Sequence, residues 1–188
     1  MNGFTSPFGG GDATFDEAGT FVAEHLPEPG SFLADHDVLR GTEHCAVHET
    51  AATLFEERGV YDATFGYNLA RLNRDQRHPD AGYRYAVELG DRHVLRAEFT
   101  PTTPFCPQSR SLVVGSFRAW NGLAERHSFD LVRVRVAPMH NESGVINDAV
   151  VELENTFEET GTVPEPSAVG EELSPDSGGA ERSSDRPF

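Results

Sequence analysis

The stretch Y83-R-Y-A-V-E-L-G-D-R-H-V-L-R-A-E-F99 decides the fold. Tyr83, Tyr85, Val87 and Leu89 alternate with Arg84, Ala86 and Glu88, the period of two that belongs to a strand. Leu95, Ala97 and Phe99 repeat the pattern against Val94, Arg96 and Glu98. Between the two runs, Gly90-Asp91-Arg92 has turn composition, so the pair reads as a β-hairpin.

Downstream, the period changes to that of a helix over about 107–123, which buries Val113, Phe117 and Trp120 and ends near Asn121-Gly122. A third strand follows from Phe129 to Val136, with Val132, Val134 and Val136 on one face and Pro138 as its stop. A last helix over about 143–158 carries the stripe Ile146, Ala149, Val150, Leu153 and Phe157. Strand, helix and strand should cross over right-handed, which sets the outer two strands parallel. The expected class is α+β: a small mixed sheet, hairpin first and β-α-β second, with helices packed on it.

Upstream, Thr42 caps a predicted helix over 43–58, with Val47, Ala51, Leu54 and Phe55 as its stripe and Gly59 as its close. Residues 60–80 fit a strand or a short helix equally. Residues 13–26 form a short expected helix interrupted by Gly19, and Pro27, Pro29 and Gly30 break it. Residues 1–12 are Gly-rich and aperiodic, with neither the basic nor the apolar segment of a secretory signal. The resulting division is a flexible or irregular N-terminal extension (1–40), a domain (41–158) and a disordered acidic tail (159–188).

Charge narrows the function classes. All 15 basic residues are arginine, against 31 acidic residues, for a net charge of −16. Such a surface repels nucleic acid and anionic membrane, and it suits a salt-rich cytoplasm that screens self-repulsion. The expected host is halophilic and the expected location cytoplasmic. Two cysteines cannot build a disulfide framework or, alone, a four-thiolate zinc site.

One of those cysteines has an unusual setting, T100-P-T-T-P-F-C-P-Q-S-R110. Proline is favoured at the first helical position, so Pro107 would place Cys106 at the N-cap, facing free N–H groups and the positive end of the helix dipole. Both favour a thiolate. Arg110 adds positive charge, and Thr102 and Thr103 add hydroxyls. The bland alternative is a packed cysteine that fills space.

The T-P-T-T-P-F-C turn with its helix, the strand ending R-V-R-V-A-P-M-H-N-E-S and the following V-I-N-D-A-V together resemble a known family. It is the iron–sulfur assembly domain shared by the eukaryotic cytosolic iron–sulfur targeting factors and bacterial SufT and PaaD. The resemblance spans Tyr83 to Phe157. It implies an accessory factor in iron–sulfur cluster assembly or delivery, with the assembly machinery and client apoproteins as partners. Cys106 would be the functional thiol and a transient ligand to iron or to a cluster. Thr102 and Thr103 would be its neighbours, and Met139, His140, Asn141 and Glu142 the loop beside it. Family members can dimerise, and an exposed hairpin edge would permit a homodimer. The family's Asp-Pro-Glu segment and Val-Asp-Leu-Gly-like turn are missing ahead of the hairpin.

Two further constellations stand apart. E-H-C-A-V-H-E puts His44 and His48 on one helix face with Cys45 beside them, a spacing at which two imidazoles can share a metal. Both also border the apolar stripe, where a hydrogen-bonded, half-buried histidine is the commoner outcome. His140 could accept a proton from Cys106, the arrangement of a thiol enzyme, or simply face solvent. The acidic clusters at 152–159 and 171–176 read as solvated surface. Thiol enzyme and non-catalytic interaction module are therefore the rival functions.

Overall fold

The computed structural model describes residues 14–164; the expected disorder of residues 1–12 and most of the acidic tail lie outside them. The described residues hold four α-helices, α1 (Ser31–Ala34), α2 (Gly41–Arg58), α3 (Ser109–Gly122) and α4 (Ser143–Thr160). Six strands accompany them: β1 (Asp37–Val38), β2 (Tyr61–Asp62), β3 (Tyr67–Asn68), β4 (Gly82–Val87), β5 (Val94–Thr100) and β6 (Leu131–Val136). The main sheet runs β1-β4-β5-β6. β4 and β5 are the predicted antiparallel hairpin, and β6 lies parallel to β5. The expected mixed α+β sheet with packed helices is the observed fold.

The alternation read in the sequence fixes the core face. Tyr83 and Tyr85 from β4, Leu95, Ala97 and Phe99 from β5, and Val132, Val134 and Val136 from β6 are all buried there. α2 covers them with Ala51, Leu54 and Phe55, and α3 with Val113, Phe117 and Trp120. Each fully buried large side chain contributes roughly 1.5–3 kcal/mol. Gly59 closes α2 in the left-handed region (φ 67°), as expected of a helix C-terminus.

The opposite face carries arginine and glutamate. Arg96 and Arg133 converge on Glu88, and Arg133 and Arg135 on Glu154 of α4. Glu154 is buried, so the 152–159 cluster is not wholly the solvated surface that its composition suggests. The N-terminal strap, residues 14–36, covers this side of the sheet through its residues 27–32. Phe32 stacks against the guanidinium groups of Arg96 and Arg135, Pro27 accepts from Arg84, and the Gly30 N–H donates to Glu98. A Cβ at Gly30 would collide with that carboxylate.

Several boundaries differ from the sequence reading. Residues 15–40 are irregular but belong to the fold: Phe15 bridges Asp75, Leu33 is fully buried, and β1 pairs with β4. The helix expected over 13–26 shrinks to a 3₁₀ turn at Ala23–His25, because the Asp16 N–H donates to Arg74 O and Thr14 O accepts from the Gln76 N–H, bonds to a distant segment instead of within a helix. Arg40 occupies the N-cap of α2, two residues earlier than the expected Thr42 cap. Residues 60–80 hold the small β2–β3 hairpin and a 3₁₀ segment, Leu69–Arg74. The last helix runs on to Thr160, past the expected start of the tail.

The sheet edges are closed by asparagine. Asn73 donates its amide to the Tyr83 carbonyl and accepts from the Tyr83 N–H. Next along β4, the Leu39 N–H donates to Tyr85 O, and β1 takes the remainder of that edge. On β6, Asn121 clamps Val132 and Asn147 clamps Val136 in the same two-bond manner. Each side-chain amide stands in for one residue of an absent neighbouring strand. Gly82 (φ 121°) lies under the first clamp, where a Cβ would collide with Asn73. The hairpin edge expected to be open for a second copy is therefore already occupied.

Candidate functional site

β5 and β6 run parallel, so their C-terminal ends deliver two loops to the same end of the sheet, residues 101–108 and 137–142. Cys106 lies in the first and His140 in the second. The loops are tied together by backbone-directed bonds: Asn141 N–H to Pro104 O at 2.9 Å, and His140 Nε2 to Cys106 O at 3.0 Å. His140 Nδ1 accepts from the Glu142 N–H at 3.1 Å, which leaves the proton on Nε2 and makes that nitrogen the donor. His140 is 3 % exposed, so it is neither a solvent-facing loop residue nor a base poised at sulfur. It latches the two loops.

Cys106 itself is half-buried and free. It does not cap the helix. α3 starts at Ser109 with Gln108 as N-cap, and Cys106 precedes it in a turn closed by the Ser109 N–H on the Cys106 carbonyl. Pro107 fits either conformation, since its fixed φ suits a turn as well as a first helical residue. Gln108 explains the delayed start: its side chain accepts from the Ala63 N–H and donates to Thr64 Oγ1, which pins it to the β2–β3 hairpin. Thr103 accepts from the Cys106 N–H through its carbonyl, Thr102 is half-buried, and Arg110, Asn141 and Glu142 are exposed. Phe105 (74 % exposed) and Met139 (41 %) present apolar surface from the two tied loops.

The second cysteine has a different setting. His44, Cys45 and His48 project from α2 into a cavity of about 540 Å³, whose other walls are the strap at Asp16–Leu26 and the segment Asn68–Arg74. His44 and His48 stack with ring centroids 5.8 Å apart. His48 is fully engaged, with Nε2 on the Ala70 carbonyl and Nδ1 on the Tyr85 hydroxyl, each at 2.7 Å. Burial pushes its pKa down to about 4, and Arg74 adds to the effect. Burial, then the neighbouring His48 and Arg84, pushes His44 down to about 3. Both imidazoles are thus neutral at ordinary pH. Burial raises the Cys45 thiol.

This arrangement does not suit a shared metal. Both nitrogens of His48 are committed, and among the described residues no group of three or more histidine, cysteine or acidic side chains could hold an ion. The sequence places Cys45 and Cys106 on separate elements, and the structure keeps them in separate sites. The cavity residues missed from sequence are Arg71 and Arg74. Their three-residue spacing in L-A-R-L-N-R put them on one side of a helical turn, but the segment had no assigned structure to give that spacing meaning.

Among the described residues no helix is long and apolar enough to cross a membrane. No curated protein and no solved structure matches the chain. A family model described as a domain of unknown function, DUF7998, matches residues 13–164, and the chain belongs to that family.

Proposed function

We propose that this domain is an accessory factor in iron–sulfur cluster assembly or delivery, and that Cys106 is the thiol through which it acts in the cytoplasm. The observation that supports the reading most is the setting of that thiol. It is partly exposed on a loop held at two points by its neighbour loop, at the end of a parallel strand pair. Such a loop presents a sulfur in a fixed position without burying it, which is what handing a ligand between proteins requires.

A single thiolate supplies one ligand. Iron or a cluster would accordingly be cargo, held between Cys106 and ligands that belong to the assembly machinery or the client. Exposed Phe105 and Met139 are apolar groups that such a partner would cover. The thiol-enzyme alternative needs a base at the sulfur, and His140 spends its two nitrogens on Glu142 N–H and Cys106 C=O.

Replacing Cys106 by alanine tests the proposal. The variant should keep its circular dichroism spectrum and unfold within about 0.5 kcal/mol of the parent, as expected of a partly exposed side chain. In cells lacking the native gene it should fail to restore activity of a cluster-dependent hydratase. Full restoration by Cys106→Ala would sink the assignment.

A further inference from the structure

The strap rests on a buried carboxyl group that the reading above does not use. Glu98 alternates with the core residues Ala97 and Phe99 of β5, so it points to the polar face, where it is 1 % exposed. Its Oε1 accepts the Gly30 N–H at 2.7 Å, and its Oε2 has no hydrogen-bond partner among the described residues.

The charged groups around it are committed elsewhere. Strand register sets Arg84 of β4 and Arg135 of β6 on either side of Glu98. Arg84 donates through Nη1 to the Pro27 carbonyl, and its Nε and Nη2 are buried without a partner. Arg135 donates through Nη1 to Glu154 of α4 and to the Val134 carbonyl. Arg96, two residues back on β5, is held by Glu88 and by the Phe32 carbonyl. Glu28, on the strap itself, is exposed. A carboxylate sealed without a cationic partner is costly, so burial raises the Glu98 carboxyl above its usual range, and the Gly30 N–H offsets only part of that.

The seat is also tight. Gly30 has extended backbone (φ −78°, ψ −176°), which any residue adopts, so space alone calls for glycine. A Cβ there would come within 2.6 Å of Oε2. The other fastenings of the segment are arginine contacts, whose charge does not change in the ordinary pH range. Glu98 is thus the titratable group on which it sits.

We propose that residues 27–32 are an ionisation-controlled cover: the segment seats on the sheet while Glu98 is neutral and opens locally as Glu98 ionises, letting water reach the carboxylate and the unpaired nitrogens of Arg84. Closure and protonation favour each other, so closure is strongest below about pH 4.5 and weakens as the pH rises through the raised value. His44 and His48 weaken the whole fold in the opposite direction of pH, so the cover is read locally rather than by global unfolding.

Nuclear magnetic resonance of the full chain reads it at one atom. The Gly30 amide proton should shift with pH at a midpoint above 4.5. Between pH 5 and pH 8 its exchange, corrected for the intrinsic pH dependence, should quicken by up to about tenfold for each unit by which closure raises Glu98. The amides of Val113 and Phe117 in α3 should show no such change. Glu98→Gln, neutral throughout, should protect Gly30 equally at both pH values. Gly30→Ala should leave the segment open at both, because its methyl group takes the space of the carboxyl. A midpoint at or below 4.5 in the parent, or corrected exchange that ignores pH, would overturn the proposal whether or not the variants fold. So would a folded Glu98→Gln that keeps the parent's pH dependence, or a folded Gly30→Ala as protected as the parent at pH 5. None of these outcomes depends on whether Cys106 serves cluster delivery.

Discussion

The two cysteines sit in opposite kinds of environment. Cys106 occupies a tied loop over open solvent, held by backbone hydrogen bonds and flanked by exposed Phe105 and Met139. Cys45 occupies a helix face that lines a cavity, next to two histidines whose pKa values are pushed down to about 3 and about 4. One region stands at the surface of the protein, and the other borders a cavity. The local sequence around Cys106 is conspicuous and that around Cys45 is plain, yet burial shifts His44, Cys45 and His48 of the plain one. Prolines and a cysteine announce a loop's shape, whereas burial of a helix face depends on what packs over it.

The sharpest way to test this contrast is acid. The unfolded chain takes up protons on His44 and His48 near pH 6.5, while the folded chain does so only near 3 and 4. Between those values the unfolded state binds more protons, so stability falls as the pH drops. Going from pH 6.5 to 5 should cost roughly 1.5 kcal/mol for each histidine, about 3 kcal/mol together. Urea unfolding at the two pH values measures it, and His44→Phe should remove about half of the slope. A pH-independent midpoint over that interval would mean that the cavity face is not dry.

The next effect concerns the cavity's back wall. Asn73 lines the cavity and also clamps Tyr83 by two buried bonds. Asn73→Ala leaves a strand N–H and C=O unpaired and should destabilise by about 2–4 kcal/mol. The same denaturation experiment reads it. The loss should come with faster amide exchange at Tyr83 and with little change in the Cys106 loop, which rests on His140 and Asn141 instead.

The smallest effect is kinetic. At pH 7.5 Cys106 should alkylate about tenfold faster than Cys45, because burial raises the Cys45 thiol and the reactive species is the thiolate. Peptide mapping after a timed iodoacetamide pulse separates the two. Cys45 labelling should climb as the pH approaches 9. Comparable rates at pH 7.5 would erase the distinction between the regions.

How much could be read from the chain varies with the range of the forces involved. The hairpin at 83–99 was legible because alternation is a local consequence of strand geometry, and it named the core residues of β4 and β5 before any packing was known. The stripes of α2, α3 and α4 were legible for the same reason. The strap was not: its Phe32, Pro27 and Gly30 acquire their roles from Arg96, Arg135, Arg84 and Glu98, some sixty residues away or more. The asparagine clamps were hidden too, since Asn121 and Asn147 read locally as a helix end and a polar helix position. The helix after Cys106 starts two residues later than its local pattern indicates, because Gln108 is drawn to Ala63 and Thr64 of a hairpin that the sequence left ambiguous.

The sequence by itself determined the α+β class, the antiparallel hairpin, the faces of each long helix and the acidic, lysine-free character of the surface. These follow from periodicity and composition, which act between near neighbours or over the whole chain. Only the tertiary structure decided that His140 is a latch, that the sheet edges are shut, and that His44 and Cys45 look into a cavity walled by arginine. Those properties arise where distant segments meet, and burial, which sets the cost of an unpaired proton or donor, exists only after they have met.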